Sequence, residues 1–284
     1  MPTTYAHWRF GCDCIETLPE DLKNVIQKNR ELFDLGVHGP DIFFYDLKRP
    51  ELFDFGSKMH RQSGRTFFES AIRTYQSYDD RKDAMLAYML GFLSHFVLDS
   101  QTHGYVNRKD KLSPSLSHNK IESEYDGHLI RKDGLKVAKA NRAKSLKPDA
   151  DKAKIIARFF PYDEKAVLRT IKGQLLVISG LYCRTDLKRK ALAAILEKMG
   201  KFDYRDLIVQ KTELDLCKDS NLRLDKLMAY ALETYPVLAD SLMNSLRTGS
   251  LLCDYFDHDY DPDIESIPIL SYEEEQDYVP EKIV

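Results

Sequence analysis

Three polar residues, His95, Asp99 and His103, sit four apart inside the apolar segment GFLSHFVLDSQTHGYV at 91–106. Residues at that spacing lie nearly above one another on an α-helix, so all three project from one side of one helix. Their neighbours Phe92, Leu93, Phe96, Val97 and Leu98 are apolar, so that side faces the protein interior. An aspartate buried between two histidines is costly unless something offsets it. A divalent cation does so, because imidazole and carboxylate are ordinary ligands for one. A buried Asp–His hydrogen-bond network is the other solution, and this segment leaves both open.

A second segment, SHNKIESEYDGH, repeats the spacing with His118 and Glu122 on one helix face, and Ser117 or Ser115 is placed to cap that helix. Glu124 and His128 share the spacing on another face and read as a solvated pair. None of these is the Glu-x-x-His spacing of di-iron bundles. Two His-x3-acid pairs so close together, one of them in an apolar helix, favour a multinuclear site. Further candidate ligands are Asp41 after Gly39-Pro40, where helix capping is the competing role, His60 in GSKMHRQSG, and His7 among aromatics beside Trp8. Cys12 and Cys14 lie near His7, but metal-site cysteines usually come with a second pair.

The helices that must hold these residues are legible as periodicity. Apolar residues recur at three- and four-residue intervals over 20–35, 57–77, 80–102, 117–130, 164–182, 186–199 and 222–247. Period-two alternation is nearly absent, so the expected class is all-α. We expect a metal-site region over 1–145, a helical extension over 146–253 packed on the same domain, and an acidic, solvated tail over 254–284 that packs loosely across the body, with coverage of the cleft as a further role. Arg131 to Lys154 holds nine Lys/Arg against three Asp and reads as a basic connecting segment.

Bulk properties set the surroundings. The chain has 284 residues, 43% apolar and 31% charged, with a formal net charge of −3, so no overall basic field attracts nucleic acid or anionic membrane. The opening MPTTYAHWRF lacks the pattern of a secretory leader. The longest apolar stretch, Ala84 to Leu98, is too short to cross a membrane. Five scattered cysteines suggest reduced thiols and a cytoplasmic location. Neither a GxSxG nor a P-loop motif occurs.

The ordered set His7, Pro40-Asp41, His60, His95-x3-Asp99-x3-His103 and His118-x3-Glu122 resembles the zinc-dependent phospholipase C / P1 nuclease family. The likeness covers about residues 5–130 and is carried by PDIFFY, GFLSHFVLDSQTHGY and HNKIESEYD. It implies an all-helical fold with two or three zinc ions in a cleft. By that resemblance Asp41, His60, His95 and Asp99 would hold one zinc, and His103, His118 and Glu122 a second. Asp99 would bridge to a third, which His7 helps to bind. Secreted relatives supply an N-terminal Trp to that third ion. Here the sequence begins Met-Pro and Trp8 follows His7, so the site would use other ligands, such as Cys12 or water, or stay empty.

The implied activity is phospholipase C-like hydrolysis of a phosphodiester. Zinc lowers the pKa of a water it holds from about 15.7 towards 7, and Asp41 would orient or deprotonate the attacking water. The substrate would be a phospholipid headgroup or a nucleotide, the latter a nuclease-type activity in the same fold. A helical metal-binding protein without catalysis, acting by interaction, is the alternative. Phe44, Tyr45 and Tyr105, with Phe43 and Trp8, are candidates to line a substrate pocket, with core packing as the competing role. No obligatory protein partner is inferred.

Overall fold

The computed structural model describes residues 4–46, 48–262 and 264–282. Its helices are α1 (Thr4–Glu16), α2 (Glu20–Lys28), α3 (Arg30–Gly36), α4 (Pro50–His60), α5 (Gly64–Ser77), α6 (Lys82–Leu112) and α7 (His118–Lys132). They continue as α8 (Ala150–Ala157), α9 (Glu164–Leu181), α10 (Asp186–Lys198), α11 (Phe202–Asp206), α12 (Lys218–Thr248) and α13 (Tyr272–Asp277). Among the described residues there is no strand beyond an isolated bridge between Ser63 and Asp259, and the class is all-α.

The arrangement follows from α6. This helix is buried without interruption from Ala84 to Val106. A helix apolar all round must be enclosed, and α1, α2, α3, α5, α7, α8 and α12 all pack against it. Its line of titratable side chains, His95, Asp99 and His103, is therefore enclosed too. The tightest approach is that of α3. A Cβ on Gly91 would lie 2.2 Å from the Phe33 carbonyl oxygen, so only glycine lets the two backbones come this close.

Several boundaries differ from the periodic segments. The first breaks at Asn29, whose side-chain amide donates to the Val25 carbonyl (3.0 Å). The second splits at Arg61–Ser63, leaving His60 as the last residue of α4. The third runs on to Leu112. Helix α1 lay outside every expected segment because His7, Arg9 and Asp13 interrupt its apolar pattern.

Two expectations about the remainder are corrected. The basic stretch 131–154 is not a free connector: Val137, Ala140, Ala143 and Leu146 are buried, and Arg142 is buried against Asp126 (3.4 Å). Small apolar residues between the charges give it a packing edge. The acidic tail is docked by particular residues, while most of its other side chains are exposed or half-buried. Phe256 and Tyr260 are buried, Arg65 donates to the carbonyls of Leu252 and Cys253 and pairs with Asp257, and buried Glu275 pairs with Arg223 at 2.6 Å. The aromatics among the aspartates are its anchors.

Gly91→Ala should push α3 off α6 and destabilise the protein by about 1–3 kcal/mol, the usual scale of an overpacked core. A thermal melt against the unsubstituted chain checks this, and an unchanged midpoint would show that the two backbones have room to spare.

Candidate metal centre

Each candidate ligand is delivered by a local device. Helix α1 has its first amides capped from a distance: the carboxylate of Asp126, on α7, accepts from the backbone N–H groups of Tyr5 (3.2 Å) and Ala6 (2.8 Å). This sets His7 with Nε2 3.1 Å from Asp99 Oδ1 and its ring stacked on His95. Asp41 lies in the 3₁₀ turn Gly39–Tyr45. Gly39 has φ +49°, and a Cβ there would meet the His95 ring at 2.2 Å, so this glycine lets the turn pass beneath the imidazole.

The other imidazoles are held from behind. His60 Nδ1 lies 2.8 Å from the Gly56 carbonyl, His95 Nδ1 3.3 Å from the Val37 carbonyl, and His118 Nδ1 3.0 Å from Asn107 Oδ1. A partner on Nδ1 leaves Nε2 free to face inward, the arrangement metal-binding histidines usually adopt. His60 Nε2 is 3.0 Å from Asp41 Oδ1 and 3.7 Å from Asp99 Oδ2, and His95 Nε2 is 2.9 Å from Asp99 Oδ2. His103 Nε2 sits between Asp99 Oδ1 (3.4 Å) and Glu122 Oε1 (3.2 Å), and His118 Nε2 is 3.1 Å from the same Glu122 oxygen. The Ser117 hydroxyl caps α7 by accepting from Lys120 N–H (3.2 Å).

Three groups of donor atoms result, each with all members within 4.8 Å of one another: His7, His95 and Asp99; Asp41, His60 and His95; His103, His118 and Glu122. Only His118 is more than marginally exposed. These are zinc's ordinary nitrogen and oxygen donors. The hydrogen bonding supports the fit. Both oxygens of Asp99, Asp41 Oδ1, Glu122 Oε2, His95 Nε2 and His7 Nδ1 are buried without a hydrogen-bond partner. Buried polar atoms are normally satisfied. Here the groups approach at ion-pair distance without aligning for hydrogen bonds, as expected of donors converging on shared points between them. An Asp–His network would have satisfied them.

The electrostatics agree. Burial would raise the pKa of Asp99, but the imidazoles of His103, His95 and His7 outweigh it and hold the carboxyl well below the usual range. His118 and His103 likewise overcome burial and keep Glu122 ionised. Burial lowers His95, leaving its imidazole neutral. At His103 burial works downward, yet Asp99, Asp261 and Glu122 together lift its pKa well above the ordinary histidine value. A cavity of about 20 Å³ lies beside His7, Asp99, His103 and Glu122. A second, of about 140 Å³, opens beside His60, His103 and His118.

The remaining candidates are placed as follows. Phe44 stacks on His60 (5.3 Å between centroids) and lines the larger cavity. Tyr45 is buried. Tyr105 points away from the centre, donating to Ser220 Oγ at 3.3 Å beneath the Arg223 guanidinium. Phe43 packs edge-on to Phe55 and Phe160 in the core, and Trp8 lines a separate cavity with Tyr5 and Arg30. The Cys12 thiol accepts from Arg30 (2.9 Å) and joins none of the three groups. Glu124 and His128 are not a solvated pair: buried Glu124 binds Lys120 (2.9 Å), and His128 bridges Glu213 (3.2 Å) and Asp225 (3.0 Å).

Sequence reasoning missed three neighbours. Asp126 caps α1, Asn107 backs His118, and His38 is buried beside the centre. Burial, then repulsion from His7 and His95, brings the His38 pKa down to about 3, so it stays neutral. Its place directly before Gly39-Pro40-Asp41 was the only available signal.

The helical body buries three convergent His/Asp/Glu groups of the kind that could hold metal ions. The family model described as zinc dependent phospholipase C matches residues 6–173, more than half of the chain. The protein belongs to the zinc-dependent phospholipase C family. No curated protein and no solved structure gives a significant match. Among the described residues, no helix is long and apolar enough to cross a membrane.

Zinc binding should depend on pH. The metal-free protein holds a proton on His103 up to a pH above 6.5, since that pKa is raised, and zinc must displace it. Affinity, read by competition with a chromophoric chelator at pH 6, 7 and 8, should therefore rise with pH. An affinity flat over that range would contradict the charge distribution described.

Proposed function

We propose that the protein is a zinc-dependent phosphodiesterase of the phospholipase C type, with His7, Asp41, His60, His95, Asp99, His103, His118 and Glu122 holding two or three zinc ions. The carrying observation is the set of buried, unpaired donor atoms on α6 and the elements around it. When bound, zinc supplies Lewis acidity towards phosphoryl oxygens and a lowered pKa for water.

The protein's own groups divide the remaining tasks. Asp41 Oδ1, buried and without a hydrogen-bond partner, orients the attacking water and accepts its proton. The mouth beside the centre carries Phe44 and Arg61. An aromatic face and a guanidinium suit a phosphodiester bearing a base or a quaternary ammonium group. Residues 1–145 carry the metal ligands, and 146–253 buttress them through α9 and α12. The five free cysteines fit a reducing compartment such as the cytoplasm.

The zinc-loaded protein should hydrolyse bis(p-nitrophenyl) phosphate, lose that activity to a chelator and regain it with zinc. Asp41→Asn, assayed at saturating zinc, should lower kcat by about 100-fold or more, the scale of a lost general base. A zinc-replete protein that cleaves no phosphodiester would overturn the proposal in favour of a metal-binding protein acting by interaction. Phosphatidylcholine vesicles and single-stranded DNA, assayed in parallel, separate the lipid and nucleic-acid branches.

A further inference from the structure

The C-terminal tail crosses the metal centre. Its path is fixed by the Gly64 N–H, which donates to the His258 carbonyl (2.9 Å), by the bridge between Ser63 and Asp259, and by Tyr260. The Tyr260 ring is buried against Phe96 (4.8 Å) and faces His60 and His95 at 6.0 and 6.3 Å. Further along, Ile264 and Ile267 reach α6 at Gly104. Asp261 is thus fixed from both sides at the mouth of the centre.

Its carboxylate touches the outer side of the His103 group. Asp261 Oδ1 lies at ion-pair distance, 3.4 Å, from His103 Nδ1, the ring nitrogen opposite the one facing Asp99 and Glu122, and that buried nitrogen has no hydrogen-bond partner. The same oxygen accepts from Asn107 Nδ2 at 2.6 Å, while Asn107 Oδ1 lies 3.0 Å from His118 Nδ1. One carboxylate therefore backs His103 directly and His118 through one amide. Donating its NH2 group to Asp261 leaves the Asn107 oxygen to accept from His118, which places the His118 proton on Nδ1 and its lone pair on Nε2. Carboxylates behind metal-bound imidazoles set tautomer and ring angle and make the ligand more basic. Asp261 itself is in none of the three donor groups, so it acts through the histidines.

We propose that Asp261 is a positioning residue of the metal centre, supplied by the C-terminal tail, that orients His103 and His118 and raises zinc affinity at the group they share with Glu122. The inference rests on the metal-centre reading above. It also gives the tail a role in metal binding, in a part of the chain beyond the family match, which ends at residue 173.

The test is zinc affinity and stoichiometry of the full chain, measured by competition with a chromophoric chelator. Asp261→Ala should weaken one class of site by about 10–100-fold, the usual cost of losing such a partner, and leave the rest tight. Asp261→Asn keeps the shape and an acceptor, and should recover part of that loss. Glu273→Gln, exposed on the same tail and away from the ligands, should leave every site unchanged. The melting midpoint of each metal-free variant reports any purely structural effect. Equal zinc affinity in Asp261→Ala and the unsubstituted chain would overturn the inference, as would an equal loss in Glu273→Gln. Absence of zinc binding in the unsubstituted chain would instead overturn the metal-centre reading itself.

Discussion

Asp99 is the residue on which the account turns. It is buried on the central helix with Nε2 atoms of four histidines, His7, His60, His95 and His103, between 2.9 and 3.7 Å from its oxygens. Neither oxygen has a hydrogen bond. A lone buried carboxylate is among the most expensive groups a fold can enclose. The imidazoles keep it ionised, but they repel one another once protonated. A cation among them satisfies carboxylate and imidazoles together, and so the chemistry of the centre and the cost of folding around it are linked.

The rest of the architecture serves that enclosure. Gly91 and Gly39 are two of the places where the backbone must come close, one bringing α3 onto α6 and the other bringing the Asp41 turn beneath His95. Asp126 fixes α1, and with it His7, to the helix that carries His118 and Glu122. The centre is assembled from α1, the turn at 39–45, α4, α6 and α7, and no single helix holds a complete donor group: α6 supplies His95 and Asp99 to one, and α7 supplies His118 and Glu122 to another. Such dispersal makes the geometry depend on the packing of the whole helical body.

Much of this was legible in the sequence, and the reason is period. His95, Asp99 and His103 share one face because a helix turns every 3.6 residues, and the apolar neighbours Phe92, Leu93, Phe96, Val97 and Leu98 announced that the face is interior. His118 and Glu122 followed by the same rule. What escaped was whatever a local pattern does not encode. Asp126 joins α1 across more than a hundred residues of chain. Asp261 lies in a tail whose acidic composition masked the buried Phe256 and Tyr260. Tyr105 faces α12 and not the centre, since its place on α6 puts it on the far side from His103.

The most direct test is a crystal structure with anomalous data collected on both sides of the zinc absorption edge. The account predicts two or three zinc peaks, with one between His103, His118 and Glu122 and at least one among Asp41, His60, His95 and Asp99. Well-ordered side chains at these positions in zinc-supplemented crystals, satisfied by one another and by water with no anomalous peak between them, would contradict it.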